Sequence, residues 1–420
     1  MKLSSWLGCL LAALVVSSAQ GHGDIEYTGH FKYRFTGVSN PVNSVFNDTA
    51  GDATTNHGAD VRLNFKWRYG GWNGRADYQF IGLKGDAFDI FRAVPQEKLF
   101  FASRVPTDKR RLFDLTDVIT DGGNYAVVQR LDRLWLGHTG GDTTVRFGRQ
   151  AISWGNGLIY TPMDFFNPFD PAAVDKEYKP GDDMLYGQYA LAGGDDIQAV
   201  MVFRRSLETA EAEADKSTAA IKYHGLEATS EFDLLVAQHY ADTVLAAGGN
   251  RELGDAVWRG DAVVTRTDDD TVLQLVTSLT RSWTAKNKNV SGIVEYFYNG
   301  FGQSDGDYSA EALAMNPDLV RRIARGELFT LARHYIAASA TVEITPLLVV
   351  TPALFLNLSD GSALVQTVLQ HDLRQDLVLL GSLNIPVGPE GTEFGGIESG
   401  QPGRYLSTGP GIFFQFAAYF

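Results

Sequence analysis

Ile412-Phe-Phe-Gln-Phe-Ala-Ala-Tyr-Phe420 ends the chain, and its reading decides the fold. Counted back in twos, Phe420, Ala418, Phe416, Phe414 and Ile412 form one apolar face, because strand side chains alternate with period two. The other face, Tyr419, Ala417, Gln415 and Phe413, is mixed. Termini of soluble domains usually fray. An apolar strand that runs to the last residue is expected where it pairs with the first strand and closes a barrel in lipid. A buried closing strand of a soluble β-protein is the alternative.

The N-terminus agrees with a membrane barrel. Lys2, the apolar run Trp6 to Val16 and the small residues Ser17 to Gly21 have the order of a secretory signal peptide. The expected organisation is therefore a signal peptide over 1–21 and one barrel over 22–420. The apolar run is too short to span a bilayer as a helix, and no other stretch is long and apolar enough to do so. Cys9 lies within that run and is the only cysteine, so the mature chain has none to pair in an oxidising compartment. Aromatic residues make up 12% of the chain and glycines number 44, with charged residues spread throughout. That mixture suits a barrel that shows lipid one face and water the other. A net charge of −14 argues against a nucleic-acid partner.

Alternation is cleanest near the start. Ile25, Tyr27, Gly29, Phe31, Tyr33 and Phe35 alternate with Glu26, Thr28, His30, Lys32, Arg34 and Thr36. Val61, Leu63, Phe65, Trp67 and Tyr69 repeat the pattern against Asp60, Arg62, Asn64, Lys66 and Arg68. No helical period fits either run. Long polar stretches (37–59, 82–124) and tight turns (Gly70-Gly71, Gly140-Gly141-Asp142) take turns along the chain. The expectation is an all-β, closed antiparallel transmembrane barrel of about 16–18 strands, with long external loops and short periplasmic turns. An even strand number puts both termini in the periplasm. Two short helices are expected in the loops, one over Leu112–Ile119 and one between Asn316-Pro317 and Gly326, where a cap, a proline and a terminal glycine mark its ends. The division between Phe232–Tyr240 and Thr243–Gly248 is the least certain turn.

Function is expected on the inner face. If the apolar faces meet lipid, Lys32, Arg34, Arg62, Lys66, Arg68, Arg75, Arg146 and Arg149 line the pore, since each on the lipid side would cost about 2–4 kcal/mol. Glu231, Asp233, Asp255, Asp261, Glu295 and Glu343 on later strands would form a facing acidic wall. The alternative is that these charges only pair with one another and keep the lumen hydrated. Prolines 162, 168, 171 and 180 exclude a ladder between Trp154 and Asp183. That block either folds into the lumen or forms an external loop. In the first case Asp164, Asp170, Asp175, Lys176, Glu177 and Lys179 help form a constriction.

A catalytic reading is weaker. The histidines are scattered without a nucleophile motif, so no catalytic residue is assigned, and no metal cluster or cofactor is expected. A barrel enzyme of lipase or protease type, or an adhesin, remains the alternative to a channel.

Two resemblances can be named on these residues. The terminal Phe420, preceded by Ile412, Phe414 and Phe416, resembles the C-terminal signal of Gram-negative outer-membrane barrels. It implies recognition by the barrel-assembly machinery and residence among outer-membrane lipid and lipopolysaccharide. Gly148-Arg149-Gln150 with Trp154-Gly155 resembles the porin group that includes alginate-export porins and related specific channels. This implies passage of small polar, anionic solutes or of an exported polyanion. The chain departs from the alginate exporters in net charge and in its Pro- and Asp-rich block, so alginate is not assigned. Nothing in the sequence chooses between monomer and trimer.

Overall fold

The computed structural model describes residues 23–93 and 105–420; the expected signal peptide lies outside them. It is a closed antiparallel barrel of eighteen strands. The first strand, Asp24–Ser39, pairs with Ala53–Tyr69 on one side and with the last, Gly411–Tyr419, on the other. Consecutive pairing carries the wall round to Leu377–Val387, which pairs with Gly411–Tyr419 and completes the ring. Closure joins the first strand to the last, which a membrane demands because lipid offers no hydrogen bonds to a free edge.

Alternation sets the two faces. Leu185, Met201, Ile221, Leu234, Leu245, Leu275 and Val294 point outward and are exposed, as are Ile412, Phe414 and the 66%-exposed Phe420. Such a continuous apolar belt is stable against lipid and not against water. At the seam, Gly29 and Phe420 exchange backbone hydrogen bonds of 2.8 and 3.0 Å. A Cβ on Gly29 would lie 2.6 Å from both the Arg62 carbonyl oxygen and the Phe420 ring, so glycine in the first strand's apolar face lets the closing strand approach closely.

Turns and loops segregate to opposite rims. One rim has the short connections 70–71, 141–142, 191–195, 228–229, 254–255, 286–287, 346–347 and 375–376. The other has the long connections 40–52, 86–124, 151–181, 203–217, 300–333 and 388–410, together with three short ones. One of those is Tyr240-Ala241, which separates Ser230–His239 from Asp242–Leu253 without glycine or proline. Tyr240 takes a φ of 53° there, its ring held between the Arg204 and Arg325 guanidinium groups at 5.0 and 3.7 Å.

The loop helices divide. Pro317–Ala324 is helical, capped by Asn316, as its punctuation predicts. Leu112–Ile119 is not helical. Thr116–Gly122 is instead a strand on the outer half of Tyr125–Gly140, joined to it by a turn at Gly123-Asn124. The β-branched run Thr116, Val118, Ile119 and Thr120 favours a pleated surface over a helix. It occupies wall that Thr143–Gln150, only 8 residues long, is too short to cover.

Candidate functional site: the lumen constriction

Residues 151–181 leave the wall after Gln150, cross the lumen and return at Asp182. The departure is sharp. Gly148 has φ 123°, and a Cβ there would lie 2.2 Å from the Leu134 carbonyl oxygen. With no ladder, the segment's N–H groups need other acceptors. Wall carboxylates supply them. Glu295 accepts from the backbone N–H of Leu158 (2.9 Å), Ile159 (3.1 Å) and Tyr160 (2.6 Å). Asp261 accepts from the N–H of Asn156 at 2.7 Å and of Gly157 at 3.2 Å, and from the Asn156 amide at 2.9 Å. Asp233 takes the Asn156 amide as well, at 3.2 Å. These three carboxylates are thus acceptors for the segment rather than free charges of an acidic wall. Asp255 sits at a turn, paired with Arg281.

Apolar packing completes the anchor. Trp154, Met163, Phe165 and Phe166 fill the lumen against Val200, Ala220, Leu235, Val244 and Val263. Tyr160 stacks on Phe297 with centroids 4.8 Å apart. Further along, Gln366 donates to the Ala172 carbonyl at 2.8 Å, and the buried Lys179 donates to both Asp164 oxygens at 2.6 and 2.5 Å. Burial raises the Asp164 carboxyl to about 6 against the pull of the Lys179 ammonium. Asp164 and Lys179 are therefore the segment's internal brace and do not face the passage. Asp170 caps the turn at Ala172, accepting its N–H at 2.8 Å, and Lys176 is exposed in the lumen with its ammonium on the Pro171 carbonyl at 2.9 Å.

The tip of the segment reaches the opposite wall. Lys32 donates to Asp175 at 2.8 Å and approaches Glu177 to 2.6 Å. Tyr419 donates to the same Glu177 oxygen at 2.8 Å. The Tyr178 ring covers Arg62, whose guanidinium carbon lies 4.0 Å from its centroid.

Behind the tip the wall is a woven set of charges. Arg62, 1% exposed, donates to Asp77 at 2.9 Å and to Asp132 at 2.7 Å. Arg75 forks onto Asp77 at 2.8 and 2.7 Å, while Arg133 and Arg130 hold Asp132 at 2.7 and 3.3 Å. Arg34 is 3.4 Å from Asp60, and Lys66 pairs with Glu26 at 2.7 Å. Among the described residues Arg68 and Arg146 have no carboxylate at ion-pair distance; Arg146 lies over the Trp135 and Tyr186 rings. Sequence reasoning passed over Asp77, Asp132 and Arg133 as site residues. Their signal was the failure of alternation at Arg130, Asp132 and Arg133: a register shift opposite Asp77/Tyr78 makes Asp132 the extra residue, so it and Arg133 both reach the lumen side.

Arg149 is a correction. Expected in the pore wall, it is 1% exposed and clamped by Asp183 at 2.8 Å and Asp108 at 2.9 Å, with the Phe113 carbonyl at 2.7 Å. It fastens the loop around 108–113 to the wall where the short strand ends. Replacing Arg149 with Met should cost about 3–5 kcal/mol, because it leaves the buried Asp183 without a cation among the described residues and strips Asp108 to its Arg111 pair at 2.8 Å. The measurement is the temperature at which the barrel loses its folded mobility on SDS gels, and an unchanged temperature would contradict this role.

The outer rim holds one further buried carboxyl. Glu393, in the 388–410 loop, accepts from Tyr335 at 2.6 Å, Asn357 at 2.8 Å and the Leu331 N–H at 2.9 Å. Burial, with Asp360 nearby, raises it from the usual 4.5 to about 7. The folded state then holds this proton more tightly than the unfolded chain, so its stabilisation is present below 4.5 and is lost as pH rises through about 7. Protection against hydrogen exchange in 388–410, after correction for the hydroxide-catalysed intrinsic rate, should fall as pH rises from 4.5 to about 7, by up to about tenfold per pH unit, and Glu393→Gln should flatten that dependence.

An eighteen-stranded barrel with an apolar outer belt and one connection folded across its lumen defines the outer-membrane porin fold. Solved structures of that fold bear this out. A BenF-like porin from Pseudomonas fluorescens Pf-5 aligns with TM-score 0.54 at 8% identity, covering 94% of this chain and 98% of that one. OpdK of Pseudomonas aeruginosa, determined with vanillate, aligns with TM-score 0.51 at 11% identity, covering 94% and 98%. Wzi of Escherichia coli, a carbohydrate-binding barrel involved in group 1 capsule assembly, aligns with TM-score 0.52 at 8% identity, covering 99% and 88%. The likeness is one of fold. No protein-family model matches the sequence, and no curated protein matches it.

Proposed function

We propose that the chain is an outer-membrane channel for small polar solutes with a preference for anions. The observation that carries this reading is the inner wall of the early strands, where, among the described residues, the Arg68 and Arg146 guanidinium groups toward the short-turn rim have no carboxylate at ion-pair distance and Arg34 has only a 3.4 Å one. In a narrow lumen with low-dielectric walls such charges concentrate anions. A segment tied to both walls favours small solutes over a polymer. The vanillate bound by OpdK, a small aromatic carboxylate, is the kind of solute this wall would accept.

The enzyme alternative has one geometric candidate. Thr218 lies 2.8 Å from His239 Nδ1, and His239 Nε2 lies 3.0 Å from Glu327, the connectivity of a nucleophile, a base and an orienting acid. Thr218 is 2% exposed, and its oxygen already accepts from Arg204 at 2.7 Å. A reacting carbonyl has no route to it.

Reversal potentials across planar bilayers in a KCl gradient test the channel. The parent should favour chloride, and changing Arg34, Arg68 and Arg146 to Gln should remove most of that preference. Cation preference in the parent would refute the selectivity, and absence of conductance would refute passage.

A further inference from the structure

Lys32 differs from every other cation of the woven wall. Arg62 and Arg75 share Asp77, Arg62, Arg130 and Arg133 share Asp132, and Arg34 has Asp60, all neighbours on the wall itself. Both carboxylates on Lys32, Asp175 and Glu177, come from the tip of the lumen segment. Asp60, opposite Lys32 on the next strand, is engaged by His30, Arg34 and Gln79, so among the described residues no wall carboxylate lies at ion-pair distance from this ammonium, and the segment brings its counter-charge from outside.

The tip is also the part of the segment that can give way. Its flanks are held elsewhere: Ala172 by Gln366, Lys179 by Asp164, and the stretch before them by Asp261 and Glu295. Between these supports Val174 to Tyr178 form no secondary structure, and their contacts to the wall include the two carboxylates on Lys32, the Glu177–Tyr419 bond and the Tyr178 ring, which lies over Arg62 and beside His30 and Asn64. The Glu177 side chain is 34% exposed, so a solute in the lumen can approach the ion pair.

We infer that Lys32 with Tyr419 is a latent anion site, occupied at rest by the channel's own Asp175 and Glu177, and that a small carboxylate solute binds there by displacing them. This rests on the channel reading and names how that site is regulated. The exchange gives Lys32 and Tyr419 a solute carboxylate in place of Asp175 and Glu177, so the buried ammonium is not left unpaired. The displaced carboxylates swing into the hydrated lumen, where solvation compensates them. Because the tip is attached to the chain, it competes at high effective concentration and lowers the apparent affinity for solute. The same movement would lift Tyr178 from Arg62. Solutes without an anionic group cannot make the exchange, so the tip discriminates against them.

The test uses succinate as probe on the full-length protein. In bilayers, the succinate concentration that half-blocks KCl current should fall by about tenfold or more in the double variant Asp175→Asn, Glu177→Gln, since the competing state is removed. Adding Lys32→Gln to that variant should abolish the gain. A gain that survives without Lys32 would show long-range charge at work and overturn the inference, as would no gain in the double variant. A second measurement does not depend on conductance. A spin label at Lys176→Cys, in a chain with Cys9→Ser, should become more mobile on adding succinate and not on adding glycerol. Normal conductance with an unresponsive label refutes the latent site and leaves the channel standing. A responsive label in a barrel that does not conduct keeps the site and refutes passage. Heat-dependent gel mobility of each variant verifies that the barrel has formed.

Discussion

Deleting Phe420 and changing Phe414 and Phe416 to Gln should nearly eliminate the folded barrel from the outer membrane. The last strand is half of the seam. Its pairs run from His30↔Tyr419 to Val38↔Gly411 on one side and from Leu377↔Ala418 to Asn384↔Gly411 on the other. A failed seam exposes two strand edges to lipid, and each unsatisfied backbone group there costs several kcal/mol. The three rings lie on the lipid face, so replacing them also removes the apolar surface that keeps the strand in place. The expected result is at least about a tenfold loss of the heat-modifiable band, since every 1.4 kcal/mol is tenfold. Gly29→Ala should give a milder defect through its close approach to the Phe420 ring. Normal outer-membrane levels of the triple variant would show that closure does not rest on this strand.

A second large effect is expected at the far wall. Glu295 and Asp261 together accept five backbone N–H groups and one amide donor from the segment. In the double variant Glu295→Ala, Asp261→Ala these donors lose their acceptors, and each buried unsatisfied group costs about 1–3 kcal/mol. The segment's cheapest response is to leave the wall and find water. The barrel ladder does not pass through it, so closure should survive. Single-channel conductance is therefore expected to rise severalfold while heat-modifiable migration remains. A barrel that keeps the parent conductance would mean that the aromatic packing of Tyr160 and Phe166 is enough to hold the segment. Loss of the barrel would mean that the segment is part of the folding core.

The contrast between these two sites explains what could be read from the linear chain. Strand identity, the lipid-facing residues and the pairing of the last strand with the first follow from period-two alternation, which is a local property. Ile25 to Phe35, Val61 to Tyr69 and Ile412 to Phe420 each carry it within about ten residues, the length of one bilayer crossing. The helix at Pro317–Ala324 was legible for the same reason, since its cap, proline and glycine are adjacent. Prolines likewise announced that a block expected over 154–183 would stand outside the ladder; the structure sets its bounds at 151–181.

What those residues meet was not legible. The inward position of an arginine follows from parity, but its partner sits on another strand or on the crossing segment. Arg62 and Arg149 are both expected in the pore wall; one lies under Tyr178 beside the passage, and the other, in step with the lipid-facing Val145 and Phe147 until Gly148 breaks the strand, is sealed against Asp108 and Asp183. Asp164, Lys179, Asp175 and Glu177 lie within one short stretch, yet the first two brace the segment and the last two reach Lys32 at a separation of more than 140 residues. The strand Thr116–Gly122 formed because a short neighbour left wall to cover, a circumstance absent from its own seven residues. Sequence by itself determined the barrel, its lipid face and its seam, because alternation and chain-end chemistry are short-range. Only the tertiary structure decided which charges line water and which are consumed by one another, because ion pairing is set by distances across the lumen that no local pattern encodes.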